Sequence, residues 1–449
     1  VVLPNRSKQK SNHMHKMILL GDEAIAQAAI DAGISGIYAY PGTPSTEITE
    51  YVQHSKEAKA AGILACWTTN EKTAMETAIG MSHAGKRTMV CMKHVGLNVA
   101  ADAFVNSAVT GANGGLVVVA ADDPSMHSSQ NEQDSRFFGK FSLLPILEPS
   151  NQQEAYDMVR YAFDLSETYR LPVLLRITTR LAHSRAGVET KSKREQNTLS
   201  LPSNLRQFVL LPAIARKQYK SLLNAQTALE KDSETTGFNQ FIDGSDKSLG
   251  IITTGIAYNY LVENFENGEV PYPVLKIGQY PLPRKLVEKM ADSVERIIVM
   301  EEGMPVVEEW LAGYLGRGLK VSGRLDGTLP RDGELNPNLV AVALGLPDSR
   351  GPEIPSIVVG RPPSLCVGCP HTDSYTALNE ALSEYSRGRV FADIGCYTLA
   401  ALPPLEAINS CVDMGASITM AKGAADAGLV PAVAVIGDST FCHSGMTGL

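Results

Sequence analysis

Short apolar runs alternate with longer stretches in which apolar residues recur every three or four positions, through almost the whole chain. The runs at 34–40 (ISGIYAY), 63–69 (ILACWTT), 87–92 (RTMVCM), 115–121 (GLVVVAA) and 172–177 (PVLLRI) predict a first group of strands. A second group is predicted at 249–255, 274–278 and 296–301, and a third at 389–394 and 432–437. Between them, patterns such as DEAIAQAAIDAG (22–33) and EKTAMETAIGMSHAG (71–85) have helical periodicity. Nearly continuous apolar strands separated by helices predict an α/β protein with parallel sheets covered on both faces.

The rhythm breaks at 186–245, where ETKSKREQN and EKDSETTGFNQ flank one helical stretch at 212–230. This composition predicts a linker with a helix. A second connection is expected at 324–338 and 360–364. The expected organisation is therefore an arm or appended residues at 1–16, a first domain at 17–185, the linker at 186–245, a second domain at 246–350 and a third at 356–449. AMETAIGMSHAG before RTMVCM and GASITMAKGAADAG before AVAVIG repeat one helix–Ala-Gly–strand theme, which any α/β chain can show.

Composition narrows the function classes. A net charge of −8, a pI near 5.7 and the lack of a basic stripe argue against nucleic-acid binding. No apolar run reaches the roughly 18 residues of a membrane span, and the start lacks the apolar core of a signal peptide. A cytoplasmic protein without membrane partners is expected. Seven cysteines, an odd number in a long chain, do not suggest a disulfide framework.

Four motifs carry candidate chemistry. The run into Gly437-Asp438-Ser439 puts a carboxylate at the carboxyl end of a strand, where open α/β sheets bind ligands. Asp438 would offer Mg²⁺ a hard oxygen, with His443-Ser444-Gly445 adding donors nearby; an ordinary helix cap accounts for the same residues. Glu71 shares a helix face with Ala74, Met75 and Ala78, which suits either a first-turn acid favoured by the helix dipole or a buried acid that exchanges a proton with a heterocycle. In YPGTPSTE (40–47), Ser45 or Thr46 is expected to cap the next helix, and the loop can hold an anion such as a carboxylate. Cys366-Val-Gly-Cys369-Pro-His371 with Cys396 further on is a metal signal, open to zinc with His371, to a redox pair or to an iron–sulfur cluster short of one thiolate.

Together these motifs resemble the thiamine diphosphate-dependent 2-oxoacid:ferredoxin oxidoreductases, on the indolepyruvate side of the family and in its large (alpha) subunit. The carriers are YPGTPSTE, NEKTAMETAIG with KHVGLN, CVGCPH, DIGC, and DMGASITMAKG through GDSTFCHSGMTGL; IITTGIAYNYL and EEGMPVVEE carry the middle segment. The resemblance implies several doubly wound parallel-sheet domains of the thiamine diphosphate-binding fold, with a transketolase C-terminal-like domain in the middle. It implies that Glu71 is catalytic and bonds the cofactor's aminopyrimidine. Gly395, Met414, Gly415, Gly437, Asp438 and Ser439 would bind the cofactor, and Asp438 would ligate Mg²⁺. Thr43 would contact the substrate carboxylate, with Arg136 of QDSR as a further substrate residue. Cys366, Cys369 and Cys396 would hold a [4Fe–4S] cluster.

The implied reaction is oxidative decarboxylation of an arylpyruvate to an arylacetyl-CoA, with electrons passed to ferredoxin. Implied partners are a smaller beta subunit, ferredoxin, the arylpyruvate and coenzyme A, in a dimer of heterodimers. The family's second Mg²⁺-binding segment, a fourth cysteine and a Cys-rich tail would fall beyond Leu449. A fragment that binds thiamine diphosphate and Mg²⁺ poorly is therefore expected. Two other readings stay open: a non-redox thiamine diphosphate-dependent 2-oxoacid decarboxylase, which needs no cysteine set, and a zinc-stabilised binding protein with a degenerate cofactor site.

Overall fold

Each of the ten apolar runs expected to be strands overlaps one in the computed structural model, its ends shifted by a residue or two. The structure describes residues 16–204, 206–314, 320–330, 333–347, 355–360, 363–386, 388–411, 414–426 and 429–449. The arm expected at 1–16 lies outside them except for Lys16. The chain divides into two compact units, residues 1–350 and 351–449.

The first unit holds a seven-stranded sheet. Its strands are β2 (Gly36–Ala39), β3 (Leu64–Trp67), β4 (Thr88–Lys93), β5 (Leu116–Asp122), β6 (Ile146–Leu147), β7 (Val173–Thr178) and β12 (Gln279–Tyr280), in the order β12-β6-β7-β5-β4-β2-β3. All pairs are parallel except β12 on β6. Every residue of β5 and β7 is buried, as their apolar composition demands of strands covered on both faces. Helices Gly21–Asp31 and Gln152–Tyr169 pack on each other, as do Glu71–His83 and Ala101–Thr110, and together these helices cover the sheet. A two-stranded antiparallel ribbon of β1 (Lys16–Leu20) and β8 (Arg185–Glu189) lies at its margin.

A second sheet in the same unit has the order β14-β13-β10-β11-β9, from β9 (Gln240–Ile242), β10 (Gly250–Thr254), β11 (Val274–Ile277), β13 (Arg296–Met300) and β14 (Lys320–Ser322). Only β9 runs antiparallel. The segments expected as first and second domains thus share one body. Two-residue β12, too short to announce itself by periodicity, leaves the second segment to extend the first sheet.

The stretch expected to be a linker is docked rather than free. Beyond β8, Arg194 N–H donates to Asp31 O at 2.8 Å and Ser200 N–H to Ala84 O at 3.0 Å, so the strap satisfies carbonyls at the ends of two helices. Its charges find partners on the body: the Arg194 guanidinium meets Asp164 at 2.6 Å and Lys193 meets Glu57 at 2.9 Å. The helix within the stretch spans Pro212–Ser233, with Pro at its start.

The second unit contains a parallel three-stranded sheet, ordered β16-β15-β17, from β15 (Val390–Ala392), β16 (Ser410–Cys411) and β17 (Val433–Val435). Its core joins Tyr375, Val390, Ala392, Tyr397, Ala400, Ala407 and Ile408.

Candidate active site

In the first unit, β2 is flanked by β3 on one side and β4 on the other, so strand order reverses between β2 and β4. Ligands of open α/β sheets lie at such a point, beyond the carboxyl ends of the strands. The residues that follow these strands are the YPGTP loop after β2, Glu71 after β3, Lys93-His94 after β4 and Asp122-Asp123 after β5.

Glu71 opens the helix Glu71–His83. Asn70 caps that helix, its side chain accepting from Thr73 N–H at 2.8 Å. The Glu71 side chain is buried, 5% exposed, on the apolar stripe with Ala74, Met75 and Ala78. It packs directly on Gly96 in the helix His94–Val99: a Cβ at Gly96 would stand 2.6 Å from Glu71 Oε1 and 2.6 Å from its Cγ. Only glycine lets the carboxylate lie there. Sequence periodicity could not show this, although a glycine inside a six-residue helical turn was the visible trace.

Thr43 is exposed in the loop after β2. Neither Ser45 nor Thr46 caps the following helix, Thr46–His54, through its side chain. Both hydroxyls turn back into the loop instead: Ser45 Oγ donates to Gly42 O at 2.9 Å, and Thr46 Oγ1 accepts from Gly42 N–H at 2.9 Å. The expected capping is thus replaced by a self-closed turn, which fixes Thr43 at its tip. Ser128 Oγ then donates to Thr43 O at 3.3 Å, and Lys93 Nζ donates to Ser128 O at 3.0 Å.

Asp123 anchors this second loop. Burial alone would raise its carboxyl, but hydrogen bonds from Ser128 N–H, Thr179 and Ser129, with Lys93 nearby, hold it below the ordinary range. Burial pushes the Lys93 ammonium down. Lys93, Asp123 and Ser128 were not singled out from the sequence, because their partners lie far away along the chain.

Arg136 is a correction. It was expected to contact substrate, yet it is fully buried and its donors are all committed. Nε and one terminal nitrogen grip Asp134 at 2.9 and 2.5 Å, and the other grips Glu301 Oε2 at 2.8 Å and Thr254 Oγ1 at 3.3 Å. The carbonyls of Glu302 and Met304 accept at 3.3 and 2.9 Å. Arg176, equally buried, meets Asp122 at 2.7 Å and Glu148 at 2.5 Å. The two arginines join the ends of β5 and β7 to those of β10 and β13. Arg136 is a clamp between the two sheets.

In the second unit, Gly395 and Gly437 follow β15 and β17, and Gly437 immediately precedes the helix Asp438–His443. Both glycines border the Tyr397 ring: a Cβ at Gly437 would come within 2.8 Å of it and one at Gly395 within 2.3 Å. Asp438 and Ser439 are exposed at that turn, with Asp438 Oδ1 accepting from Ser439 N–H at 2.8 Å. Met414 and Gly415 precede the helix Ala416–Asp426, Gly415 at a φ of +99° that favours glycine. Buried Asp393 accepts from Ser417 N–H at 2.9 Å and also from its hydroxyl, which fixes the start of that helix against β15. Gly395, Gly415, Gly437 and Asp438 thus stand around the carboxyl ends of one small parallel sheet, where glycines and an exposed carboxylate suit a diphosphate with its divalent ion.

Cys366 and Cys369 form a tight turn, Cys369 N–H donating to Cys366 O at 3.0 Å, and Cys369 caps the helix Pro370–Ala381. The His371 ring lies 5.8 Å from that of Tyr397, which brings this turn beside the one carrying Cys396. All three thiols are free, and Cys366 and Cys396 are exposed. A fourth cysteine, Cys411, ends β16 and is also free and exposed. Among the described residues the thiols of these turns do not come within 4.8 Å of one another as a group of three, so they form no ready zinc site.

The chain has close relatives. A family profile described as "Pyruvate flavodoxin/ferredoxin oxidoreductase, thiamine diP-bdg" matches residues 27–229. The indolepyruvate oxidoreductase subunit IorA of Methanothermobacter thermautotrophicus is 42% identical over 446 residues, covering 96% of this chain and 72% of that protein. The corresponding subunit of Pyrococcus abyssi is 39% identical over 469 residues, covering 97% of this chain and 72% of that one. Among solved structures, the 2-oxoglutarate:ferredoxin oxidoreductase from Magnetococcus marinus aligns with a TM-score of 0.57 at 16% identity, covering 69% of this chain and 62% of that one. That likeness concerns the fold. Among the described residues, no helix is long and apolar enough to cross a membrane.

Proposed function

The chain belongs to the indolepyruvate oxidoreductase subunit IorA family, and from that premise we propose that it is the thiamine diphosphate-binding subunit that converts arylpyruvates to arylacetyl-CoA. Its enzyme class is 2-oxoacid oxidoreductase of the indolepyruvate type. The observation that carries the reading is the buried Glu71 carboxylate seated on Gly96 at the sheet's switch point. It is an acid held dry and in one place, as proton exchange with a heterocycle requires.

Thiamine diphosphate, when bound, supplies a nucleophilic carbon and an electron sink for loss of carbon dioxide. Glu71 Oε1 or Oε2 holds or releases the proton of the cofactor's aminopyrimidine. The Thr43 hydroxyl, presented by its closed turn and braced by Ser128, donates to the substrate carboxylate. Asp438 would offer a carboxylate oxygen to Mg²⁺, Gly437 and Ser439 would lie along the diphosphate, and Gly395, Met414 and Gly415 would lie near the cofactor. Cys366, Cys369 and Cys396 would hold an iron–sulfur cluster, which would supply one-electron transfer. The overall reaction balances: one arylpyruvate anion, one coenzyme A thiol and two oxidised ferredoxins give one thioester, one carbon dioxide, one proton and two singly reduced ferredoxins. A smaller beta subunit is the inferred partner.

The test is anaerobic turnover of the chain with its partner subunit, thiamine diphosphate, Mg²⁺ and indolepyruvate. Dye or ferredoxin reduction that requires coenzyme A and yields an arylacetyl thioester supports the reading. Release of the aldehyde and carbon dioxide with no reduction overturns it in favour of the non-redox decarboxylase.

A further inference from the structure

At the start of the helix that follows the YPGTPSTE turn, three potential metal ligands converge. Asp22 is the second residue of the helix Gly21–Asp31, Glu47 lies in the first turn of Thr46–His54, and His183 ends the helix Thr179–His183 that follows β7. One ligand atom from each lies within 4.8 Å of the others. The glycine before Asp22 makes the approach possible: a Cβ at Gly21 would fall 2.2 Å from Leu181 O, and Gly21 N–H donates to Ser184 O at 3.2 Å. The start of the first helix is thereby pressed against the short helix that carries His183.

Asp22 is completely buried, and neither of its carboxylate oxygens has a hydrogen-bond partner among the described residues. Glu47 Oε2 is likewise buried without one, with His183 Nε2 3.6 Å away. The Glu47 side chain is 38% exposed, but its Oε2 faces the fully buried Asp22 carboxylate, and two carboxylate oxygens turned together out of water call for a shared proton or a cation. The nearby arginine, Arg185, is turned to Glu23 at 3.8 Å, and Glu23 is already engaged in accepting from Leu20 N–H. The 3.6 Å separation of Glu47 and His183 is close to the edge of a tetrahedron with metal–ligand bonds of about 2.1 Å, roughly 3.4 Å. His183 is 35% exposed, which gives an ion a path in and leaves room for a water as fourth ligand.

We propose that Asp22, Glu47 and His183 form a divalent transition-metal site, with a two-carboxylate, one-imidazole donor set that suits Zn²⁺. The metal ties the start of the helix after the Thr43 loop to two other elements and so braces that loop from behind. It is a structural site, separate from the cysteine set and independent of the proposed reaction.

The experiment titrates Co²⁺ into the full chain after chelator treatment, with wild type and His183→Ala compared by absorption and calorimetry. Nitrogen–oxygen ligation gives d–d bands without the intense sulfur-to-cobalt charge-transfer band of cysteine ligation, so the two kinds of site are read separately. Wild type is expected to bind one equivalent with the nitrogen–oxygen signature. His183→Ala and Glu47→Gln are expected to bind it about tenfold or more weaker. Zn²⁺ should raise the melting temperature of wild type more than that of either variant, any rise common to all three belonging to other sites. His183 is at the surface, so its variant folds even if Asp22→Asn does not. If wild type and His183→Ala bind the same number of ions equally well, or all bound Co²⁺ carries the sulfur signature, the site is a proton-sharing carboxyl pair and the proposal fails.

Discussion

Replacing Arg136 with Met removes a charge from the sheet-to-sheet clamp while keeping most of the side-chain volume. Asp134 would keep Arg176 at 3.4 Å and Met304 N–H at 3.1 Å. Glu301 would keep the backbone N–H groups of Val307 and Glu308, at 3.0 and 3.1 Å, but lose its ion-pair partner. Breaking a buried pair from one side leaves an uncompensated charge and costs about 3–5 kcal/mol. For a body of this size that corresponds to a fall in melting temperature of about 4–7 °C.

A second readout follows from Asp134. Burial would raise its carboxyl, but Arg136 and Arg176 hold it down to about 2 from the usual 3.8. A depressed carboxyl contributes stability that is present above pH 3.8 and lost as pH falls towards 2; the shift is worth about 2 kcal/mol. In Arg136→Met that contribution shrinks, and acid unfolding should begin at higher pH. The assay is urea and thermal unfolding of the full chain across pH 2–7, with the KM for indolepyruvate measured in parallel. A variant within about 1 kcal/mol of wild type with a raised KM would refute the clamp and restore Arg136 as a substrate contact.

Gly96→Ala should leave the fold intact at a cost of about 1–3 kcal/mol, because its Cβ must push Glu71 aside, and turnover should fall more than that loss of stability explains; unchanged turnover would show that Glu71 need not sit where it does. Burial raises the Glu302 carboxyl to about 7, so its contribution to stability is fully present below pH 4.5 and is lost as pH rises to about 7. That amounts to about 3 kcal/mol, and Glu302→Gln should flatten this limb of the stability profile measured by urea titration. Anaerobically purified enzyme should contain iron and acid-labile sulfide in equal amounts, and Cys366→Ser should remove one cluster's worth; stoichiometric zinc in place of iron would favour a structural metal instead.

The strands were legible because apolar β-branched runs such as those of β5 and β7 are buried over their whole length. What was missed is non-local. Two-residue β12 has no periodicity to detect, and the charged strap after β8 looks like a linker until its partners Asp164 and Glu57 are known. Arg136 was expected to be a substrate residue from the resemblance of QDSR alone; only the fold brings Glu301 to it from 165 residues away. Glu71 was singled out from its apolar helix stripe and Asp438 from its place after a strand, and each opens a helix in the structure. What distinguishes them from helix caps, the seat on Gly96 in one case and the glycine-lined turn in the other, is three-dimensional.

The most direct test of the central claim is the rate at which the C2 hydrogen of bound thiamine diphosphate exchanges with deuterated water, followed by NMR in acid-quenched samples of the complete enzyme. If Glu71 moves the aminopyrimidine proton, wild type should exchange C2 far faster than free cofactor, and Glu71→Gln should fall by two to four orders of magnitude, about the range for general acid–base catalysis, with cofactor still bound. Exchange in Glu71→Gln at the wild-type rate, with equal cofactor occupancy, would contradict the account.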